Sequence, residues 1–212
     1  MIVKSFEFNM FGENTYMVYD PETKDAAVID PGMMNRRECE VLFRFIADNR
    51  LNLVHIILTH LHVDHVMGIN AVKGKYEVES SAHQADEFLG KRIQEQIQMF
   101  HLPIQMGNIH IDKYLSDGQK IRIGNGELTV LSVPGHSPGG IALYSPKDGF
   151  VITGDALFKG SIGRTDLPGG DYATLINAIS SKLITLPDST VVYPGHGPAT
   201  TVGNEKKMNP YL

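Results

Sequence analysis

The first thirty residues alternate between apolar and polar positions in the manner of β-strands. Residues 2–8 alternate singly, and residues 14–20 and 26–30 form two further apolar stretches. A period of two places successive side chains on opposite faces of a sheet. The connecting residues 20–25 have the composition of a turn. The pattern therefore predicts an antiparallel meander of three strands.

A helical pattern follows the third predicted strand. Asn35, with Glu38 three residues later, is typical of a helix start, because both side chains can bond free N–H groups of the first turn. Apolar residues then recur at the spacing of one helix face, namely Val41, Leu42, Phe45 and Ile46. We expect an amphipathic helix packed on the sheet.

Strands and helices alternate along the rest of the chain. Residues 90–110 are apolar but interrupted by Pro103 and Gly107, so they form either a helix and loop packed on the core or a flap beside a site. The pattern predicts strands at 53–58, 76–80, 109–111, 119–123, 127–133, 141–144, 150–153 and 190–193, and helices at 66–72, 82–89, 172–184 and 202–208.

Both halves of the chain have several strands followed by a helix, which predicts two facing sheets with helices outside. No linker or low-complexity segment divides residues 1–212, so a single domain is expected.

The composition is ordinary for a soluble protein, with 42% hydrophobic and 20% charged residues. A net charge of -5 and the absence of a basic run argue against a nucleic-acid partner. No apolar stretch approaches the roughly 20 residues of a membrane span, so no membrane partner is expected. Cys39 is the one cysteine, which fits a reducing compartment, and the amino terminus lacks the apolar core of a signal peptide, so a cytoplasmic location is expected.

One loop concentrates metal-binding side chains directly after the predicted strand 53–58. Its sequence is Thr-His-Leu-His-Val-Asp-His over residues 59–65. Four such side chains in six residues cannot all face one ion. On a tight loop, His60 and His62 can face one ion while Asp64 and His65 face a second. Imidazole and carboxylate ligands suit zinc, iron or manganese.

Three more candidates, His136, Asp155 and His196, each follow a strand-like run and fall where a turn begins, and the two histidines lie between glycine and proline residues. A histidine on such a bent loop is poorly explained by packing. Because the same order of strand and then ligand occurs four times, the sequence predicts one metal site assembled from these loops. Asp30 also ends a strand, and is either a turn former or an acceptor for a metal-bound histidine.

Together these residues resemble the signature of the metallo-β-lactamase superfamily, His-x-His-x-Asp-His followed by a distant His, Asp and His. The resemblance covers nearly the whole chain. It implies an α+β fold, the four-layer αββα sandwich, with the metals along one edge. It also implies how the ligands divide: His60, His62 and His136 bind one metal, Asp64, His65 and His196 bind the other, and Asp155 bridges them.

The implied cofactors are two divalent metal ions, Zn²⁺ first, with iron or manganese as alternatives. Two cations roughly 3.5–4 Å apart share a water and lower its pKa toward neutrality, which gives a hydroxide nucleophile. No serine or cysteine nucleophile is then needed. Asp64, which would orient the hydroxide, and Asp155 are the catalytic candidates.

The segment 153–166 and the final stretch 193–210 resemble the glyoxalase II and persulfide dioxygenase branch. Glyoxalase II implies hydrolysis of a small-molecule thioester, S-D-lactoylglutathione or a related acyl-thiol. Arg164 matches a region where that family places a basic residue near glutathione, and a surface salt bridge is its other explanation. The chain ends at Leu212 without the carboxy-terminal helical domain of longer glyoxalase II proteins, so Met99 and Phe100 are the further substrate-binding candidates.

Three alternatives stay open from the sequence. A persulfide dioxygenase would use one iron held by His60, His136 and Asp155. A lactone or β-lactam hydrolase explains the segment 153–166 less well. A non-catalytic metal-binding module is the third alternative, and the oligomeric state is undetermined.

Overall fold

Six strands from the first half of the chain form one sheet in the computed structural model, which describes residues 1–212. They are β1 (Ile2–Phe8), β2 (Glu13–Tyr19), β3 (Asp25–Ile29), β4 (Asn52–Ile57), β5 (Ser80–His83) and β6 (Lys113–Leu115), in that spatial order. β1, β2 and β3 pair antiparallel, as the alternating pattern predicts. β3 to β6 pair parallel, so the carboxyl ends of these strands lie at the same edge.

The helices of this half cover the outer face of the sheet. They are α1 (Arg36–Asp48), α2 (Val63–Val66), α3 (Ile69–Tyr76), α4 (Glu87–Lys91) and α5 (Ile93–Met99). The predicted start of α1 is confirmed: the Asn35 side chain accepts from the Glu38 N–H at 3.0 Å, and the Glu38 carboxylate accepts from the Met34 N–H at 2.7 Å. No helix of the protein has both the length and the apolar composition needed to cross a bilayer.

The second half repeats the arrangement. Its elements are β7 (Lys120–Ile123), β8 (Gly126–Ser132), β9 (Ile141–Ser145), β10 (Phe150–Gly154), β11 (Leu157–Phe158), β12 (Ser161–Ile162), α6 (Tyr172–Ala178, continued by a π-helical turn, Ile179–Leu183), β13 (Val191–Pro194), β14 (Thr200–Thr201) and α7 (Val202–Met208). The second sheet has the order β14-β13-β10-β9-β8-β7, and β11 and β12 form a small separate ribbon. β8, β10 and β13 run in one direction, because β8 and β10 are both antiparallel to β9 and β10 is parallel to β13.

Three apolar cores separate four layers. Neighbouring residues of one strand point to different cores: Val28 and Ile56 face the helices of the first half, whereas Ile29 and Ile57 face the second sheet. A third core, which includes Leu175, packs α6 and α7 on the far face of the second sheet. The predicted αββα sandwich is therefore confirmed.

The segment 76–89 differs from the prediction. Residues 76–79 are not part of a strand, because α3 continues to Tyr76 and Glu77 turns the chain with a φ of +52°. The strand begins at Ser80, where it pairs in parallel with β4. Since this strand occupies residues 80–83, the predicted helix 82–89 starts late. His83 Nδ1 first accepts from the Ala85 N–H in a 3₁₀ turn, and α4 begins at Glu87.

The predicted strand 109–111 is also wrong. Ile109 and Ile111 are buried apolar loop residues, and the Ile109 N–H donates to the Gly90 carbonyl at 3.0 Å. The sixth strand lies two residues further on, at Lys113–Leu115, because its partner there is β5. Residues 90–110 are thus the end of α4, then α5 and a loop packed on the core, as the first of the two expected structures has it. Phe100, directly after α5, also lines a cavity beside the predicted metal site, as the second has it.

Candidate metal centre

The loops that leave β4, β8, β10 and β13 meet at one edge of the sandwich. They carry all seven side chains that the sequence suggests as ligands: His60, His62, Asp64, His65, His136, Asp155 and His196. Backbone hydrogen bonds join the two sheets at this edge, from Asn14 to the Gly195 carbonyl at 2.7 Å and from Ile141 to the Thr59 carbonyl at 2.9 Å. The loop ends are therefore held against each other by the fold itself.

One group comprises His60, His62 and His136, whose candidate ligand atoms all lie within 4.8 Å of one another. All three residues are buried. His62 Nδ1 lies 2.8 Å from His136 Nε2. Two lone pairs at that distance repel, so either a proton or a cation must lie between them.

A second group comprises Asp64, His65 and His196, again with ligand atoms within 4.8 Å. Asp64 Oδ2 lies 3.2 Å from His196 Nε2 and 3.8 Å from His65 Nε2. Asp64 and His65 lie on α2, which starts three residues before the predicted position near Val66. The His65 ring still lies close to the first group, with its centroid 4.1 Å from that of His60.

Asp155 contacts both groups. Its Oδ1 lies 3.4 Å from His65 Nε2, and its Oδ2 lies 3.5 Å from His136 Nε2 and 3.6 Å from His196 Nε2. Burial raises the pKa of Asp155, but the three neighbouring imidazoles outweigh burial and hold the pKa well below its usual value. A negative carboxylate therefore lies between the two histidine groups.

The outer ring nitrogens of two histidines converge on Asp30. His65 Nδ1 lies 3.1 Å from Asp30 Oδ2. His60 Nδ1 lies 3.1 Å from the Thr59 hydroxyl, which donates to the same Asp30 oxygen at 2.6 Å. These contacts favour protonation of both rings at Nδ1, which leaves the Nε2 lone pairs facing the centre.

Backbone carbonyls orient two more rings in the same way. His136 Nδ1 donates to the Arg164 carbonyl at 2.7 Å, and His196 Nδ1 donates to the Phe11 carbonyl at 3.1 Å. Four of the five histidines therefore have fixed orientations with Nε2 directed inward, which is the arrangement that a metal site requires.

The donor set fits a metal ion. Five buried side-chain polar atoms of the protein lack a hydrogen-bond partner, and three of these face the centre: His60 Nε2, His65 Nε2 and Asp155 Oδ1. A fourth is His62 Nε2, whereas the other nitrogen of that ring, Nδ1, is the one that faces His136. Leaving such an atom unbonded costs about 1–3 kcal/mol each. A cluster of them at one point is explained when cations are bound there.

Ionisation at the centre agrees with this assignment. Burial lowers the pKa of His60 well below its usual value and lowers the pKa of His62 to about 3, which favours the neutral imidazole that a metal ion binds. His65 and His196 differ from them. Burial lowers the pKa of each ring, but the Asp155 and Asp64 carboxylates outweigh burial and raise the pKa of His196, and raise that of His65 well above its usual value. The carboxylates thus favour positive charge at these two positions, which a metal ion also supplies.

Glu13 was not predicted from the sequence. It carries the fifth buried polar atom without a hydrogen-bond partner, Oε1. Glu13 is fully buried at the start of β2, with Oε1 lying 4.0 Å from His65 Nδ1 and Oε2 lying 2.9 Å from the Thr15 hydroxyl. That hydroxyl is also 2.7 Å from the Asp30 carbonyl, and the Gly32 N–H donates to it. Burial outweighs the opposing charge of His65 and raises the pKa of Glu13 well above its usual value, which favours the neutral acid at this position. Its only sequence signal is an acidic residue opening a buried strand.

A cavity of about 200 Å³ opens over the metal centre. Besides the ligands, its lining includes Phe11, Phe100, Arg164 and Leu167, and the Phe11 and Phe100 rings meet edge to face with centroids 5.7 Å apart. The Arg164 guanidinium forms a two-bonded ion pair with Asp166, with both N···O distances 2.7 Å. Arg164 and Phe100 thus lie at the cavity, as predicted for substrate-binding residues, and Arg164 also makes the salt bridge that was the alternative.

Comparison with known proteins identifies the family. The profile of the metallo-β-lactamase superfamily matches residues 9–196. The chain belongs to the metallo-β-lactamase superfamily. Within it, the chain is 38% identical to hydroxyacylglutathione hydrolase GloC of Haemophilus influenzae, over 100% of this chain and 98% of that protein.

Two solved structures of the superfamily resemble the whole chain. The B3 metallo-β-lactamase BLEG-1 superposes with a TM-score of 0.90 at 32% identity, covering 100% of this chain and 99% of that one. TTHA1623, solved in a di-iron-bound form, superposes with a TM-score of 0.85 at 33% identity and full coverage of both chains. Membership of the superfamily relates the protein to metallohydrolases, and its His and Asp groups could bind metal ions.

Proposed function

We propose that the protein is a binuclear metal-dependent hydrolase that cleaves small-molecule thioesters, S-D-lactoylglutathione or a related acyl-thiol. The composition of the cavity is the main support for this proposal. Asp155 lies on the cavity floor between the two groups of candidate ligands, and the cavity lining contains no Ser, Thr, Cys or Lys. Water is therefore the attacking group. The similarity to GloC over both whole lengths supports the thioester as the bond that is cleaved.

Two divalent ions, Zn²⁺ first and iron or manganese as alternatives, would supply Lewis acidity that lowers the pKa of water and polarises the thioester carbonyl. The side chains that would hold them are those of the two groups described above, with Asp155 shared. Asp64 lines the cavity with its side chain 16% exposed, where it can accept a hydrogen bond from the attacking water and orient it.

The remaining residues bind and position the substrate. Phe11, Phe100 and Leu167 give the cavity an apolar wall that shields the thioester from bulk water, and Arg164 offers positive charge at the rim. A thiolate leaves readily and needs little general-acid help. A lining whose only carboxylates are Asp64 and Asp155 therefore suits a thioester better than a bond with a poor leaving group.

A β-lactam hydrolase is the second candidate, and the whole-length resemblance to BLEG-1 favours it. One experiment separates the candidates. Purified protein is loaded with Zn²⁺, Fe²⁺ or Mn²⁺, its metals are counted, and each sample is assayed with S-D-lactoylglutathione, a chromogenic cephalosporin, and glutathione persulfide with oxygen uptake recorded.

We expect thioester hydrolysis with about two metals per chain. Cephalosporin hydrolysis without thioester turnover would assign a β-lactamase. Oxygen uptake with one iron per chain and no hydrolysis would assign a persulfide dioxygenase. Either of these two results overturns the proposal.

A further inference from the structure

A narrow apolar recess adjoins the metal-centre cavity. It has a volume of about 40 Å³, and its apolar walls are Phe88, Leu89, Met99, Phe100, Leu167 and Pro168. The recess and the cavity have His62, Phe100 and Leu167 in common, so they lie side by side next to the candidate metal centre. A group held at the metal centre can therefore extend directly into the recess.

The polar side chains around the recess are bonded within the protein or directed outward, apart from His62, whose Nε2 is buried inside the protein. The buried Gln96 accepts from the Val63 N–H at 2.9 Å and donates to the Leu89 and Leu61 carbonyls at 3.1 and 3.3 Å. Arg92 and Glu95 lie 3.8 Å apart at the rim, with side chains 58% and 66% exposed. A polar substituent that entered the recess would thus lose water without gaining a partner from these residues.

Size decides which part of a thioester fits. A cavity needs roughly 10–15 Å³ to hold one water, so a 40 Å³ recess holds about three non-hydrogen atoms. A peptide-like thiol carrier such as glutathione is far larger. The wider cavity, at about 200 Å³ with Arg164 on its rim, is the space for the carrier.

Building on the thioester function proposed above, we propose that the recess is an acyl-chain subsite. It selects thioesters of unbranched, apolar acyl groups of about three to four carbons over the hydroxylated lactoyl group. Each buried methylene adds apolar contact with Phe88 and Leu167, whereas the lactoyl hydroxyl is desolvated without a hydrogen bond.

The test compares kcat/KM of the metal-loaded protein for acetyl, propanoyl, butanoyl, hexanoyl and lactoyl thioesters of glutathione. We expect an increase of about threefold to fourfold per methylene up to butanoyl, a decrease at hexanoyl, and propanoyl preferred over lactoyl by about tenfold. Phe88→Ala, which lengthens the recess, should move the optimum to hexanoyl. Leu167→Phe, which puts a larger side chain in the lining and narrows the recess, should move the optimum to acetyl.

Phe43→Ala is the matched control, because Phe43 is equally half-buried but lies on α1 against Tyr76. It should leave the order of substrates unchanged. A second readout needs no turnover: calorimetric binding of the thioethers S-methylglutathione and S-butylglutathione to the metal-loaded protein. The butyl compound should bind at least tenfold more tightly, and Phe88→Ala should alter that ratio whereas Phe43→Ala should not.

The two proposals fail in different ways. If no thioester is hydrolysed but the butyl thioether still binds more tightly, the proposed function is wrong and the subsite stands. If thioesters are hydrolysed but kcat/KM is flat or favours lactoyl, and thioether binding ignores chain length, the subsite is wrong and the hydrolase stands. If neither hydrolysis nor chain-dependent binding occurs, both are wrong.

Discussion

Asp30 lies beneath the metal centre and uses both carboxylate oxygens as acceptors. Its Oδ2 lies 3.1 Å from His65 Nδ1, while its Oδ1 accepts from the Thr59 N–H at 2.7 Å. One side chain therefore orients a candidate ligand and also fixes the loop that carries His60. Its backbone φ of +50° is a conformation that Asp and Asn tolerate better than most residues.

Asp30→Asn should weaken metal binding. The amide keeps the shape and the backbone conformation, but its NH₂ group must face either the Thr59 N–H or the His65 ring, and both are donors. Removing the hydrogen-bond partner of a metal-binding histidine typically lowers metal affinity by 10–100-fold. We expect a loss of that size, measured by competition with a chelator. Asp48→Asn, on the exposed end of α1, should bind metal as the wild type does. Unchanged affinity in Asp30→Asn would exclude the orienting role.

Asp155→Ala tests the shared carboxylate. Asp155 lies within 3.6 Å of three histidines from both groups. Its removal should abolish hydrolysis and lower the metal content to one equivalent per chain or fewer, as measured by metal analysis after dialysis. Two retained metals with full turnover would refute the bridging role.

Much of the centre was predictable because its signals are local. His136, Asp155 and His196 each follow a strand directly and lie among glycines, and parallel strands bring their carboxyl ends together. The αββα fold and the superfamily are confirmed. The action of these side chains as metal ligands, and the single domain, stay predictions.

Residues whose role depends on distant contacts were not predictable. Glu13 matters because β2 places it behind His65, fifty-two positions along the chain. Likewise, Phe88 and Leu167 form one recess only after the two halves pack. β5 was misplaced for the same reason, since its start is set by pairing with β4 rather than by its own sequence.

The Arg164 guanidinium pairs with Asp166, and the same residue lines the cavity. The pair is exposed, with side chains 54% and 68% accessible, so breaking it should change stability little. If Arg164 contacts an anionic thiol carrier, Asp166→Asn should lower KM for glutathione thioesters by about twofold to threefold, and Arg164→Ala should raise it, with kcat unchanged in both. Thioesters of a neutral thiol are the control and should show neither shift. Equal KM values for all variants would remove Arg164 from the binding site.

Asp112 should make stability depend on pH in acid. Partial burial raises its pKa, but bonds from Lys73 Nζ at 2.5 Å and from the Ser80 N–H at 2.7 Å outweigh burial and lower the pKa to about 2. A lowered carboxyl pKa stabilises the folded state above its unfolded value near 4, and that stability is lost as pH falls toward 2. Asp112→Asn should lose about 1 kcal/mol at neutral pH, reduced by solvent screening.

Urea unfolding at several pH values measures this effect. The difference in unfolding free energy between wild type and Asp112→Asn should shrink steadily from pH 4 to pH 2, since the wild-type carboxylate becomes protonated over that range. A difference that stays constant across the range would show that the lost contacts do not depend on the charge.

Because Gly195 has no side chain, the Asp155 carboxylate can occupy the space beside it. A methyl group on Gly195 would lie 2.1 Å from Asp155 Oδ1 and 2.8 Å from His65 Cε1. Its φ is not positive, so alanine fits the backbone and only the side chain collides. Gly195→Ala should therefore displace Asp155, reduce the bound metal to one equivalent or fewer and abolish hydrolysis. Gly74→Ala, in α3 with nothing within 4 Å, is the matched control and should keep both metals while raising stability by about 0.5–1 kcal/mol. Full metal content in Gly195→Ala would mean that the loop yields and that Asp155 does not depend on this gap.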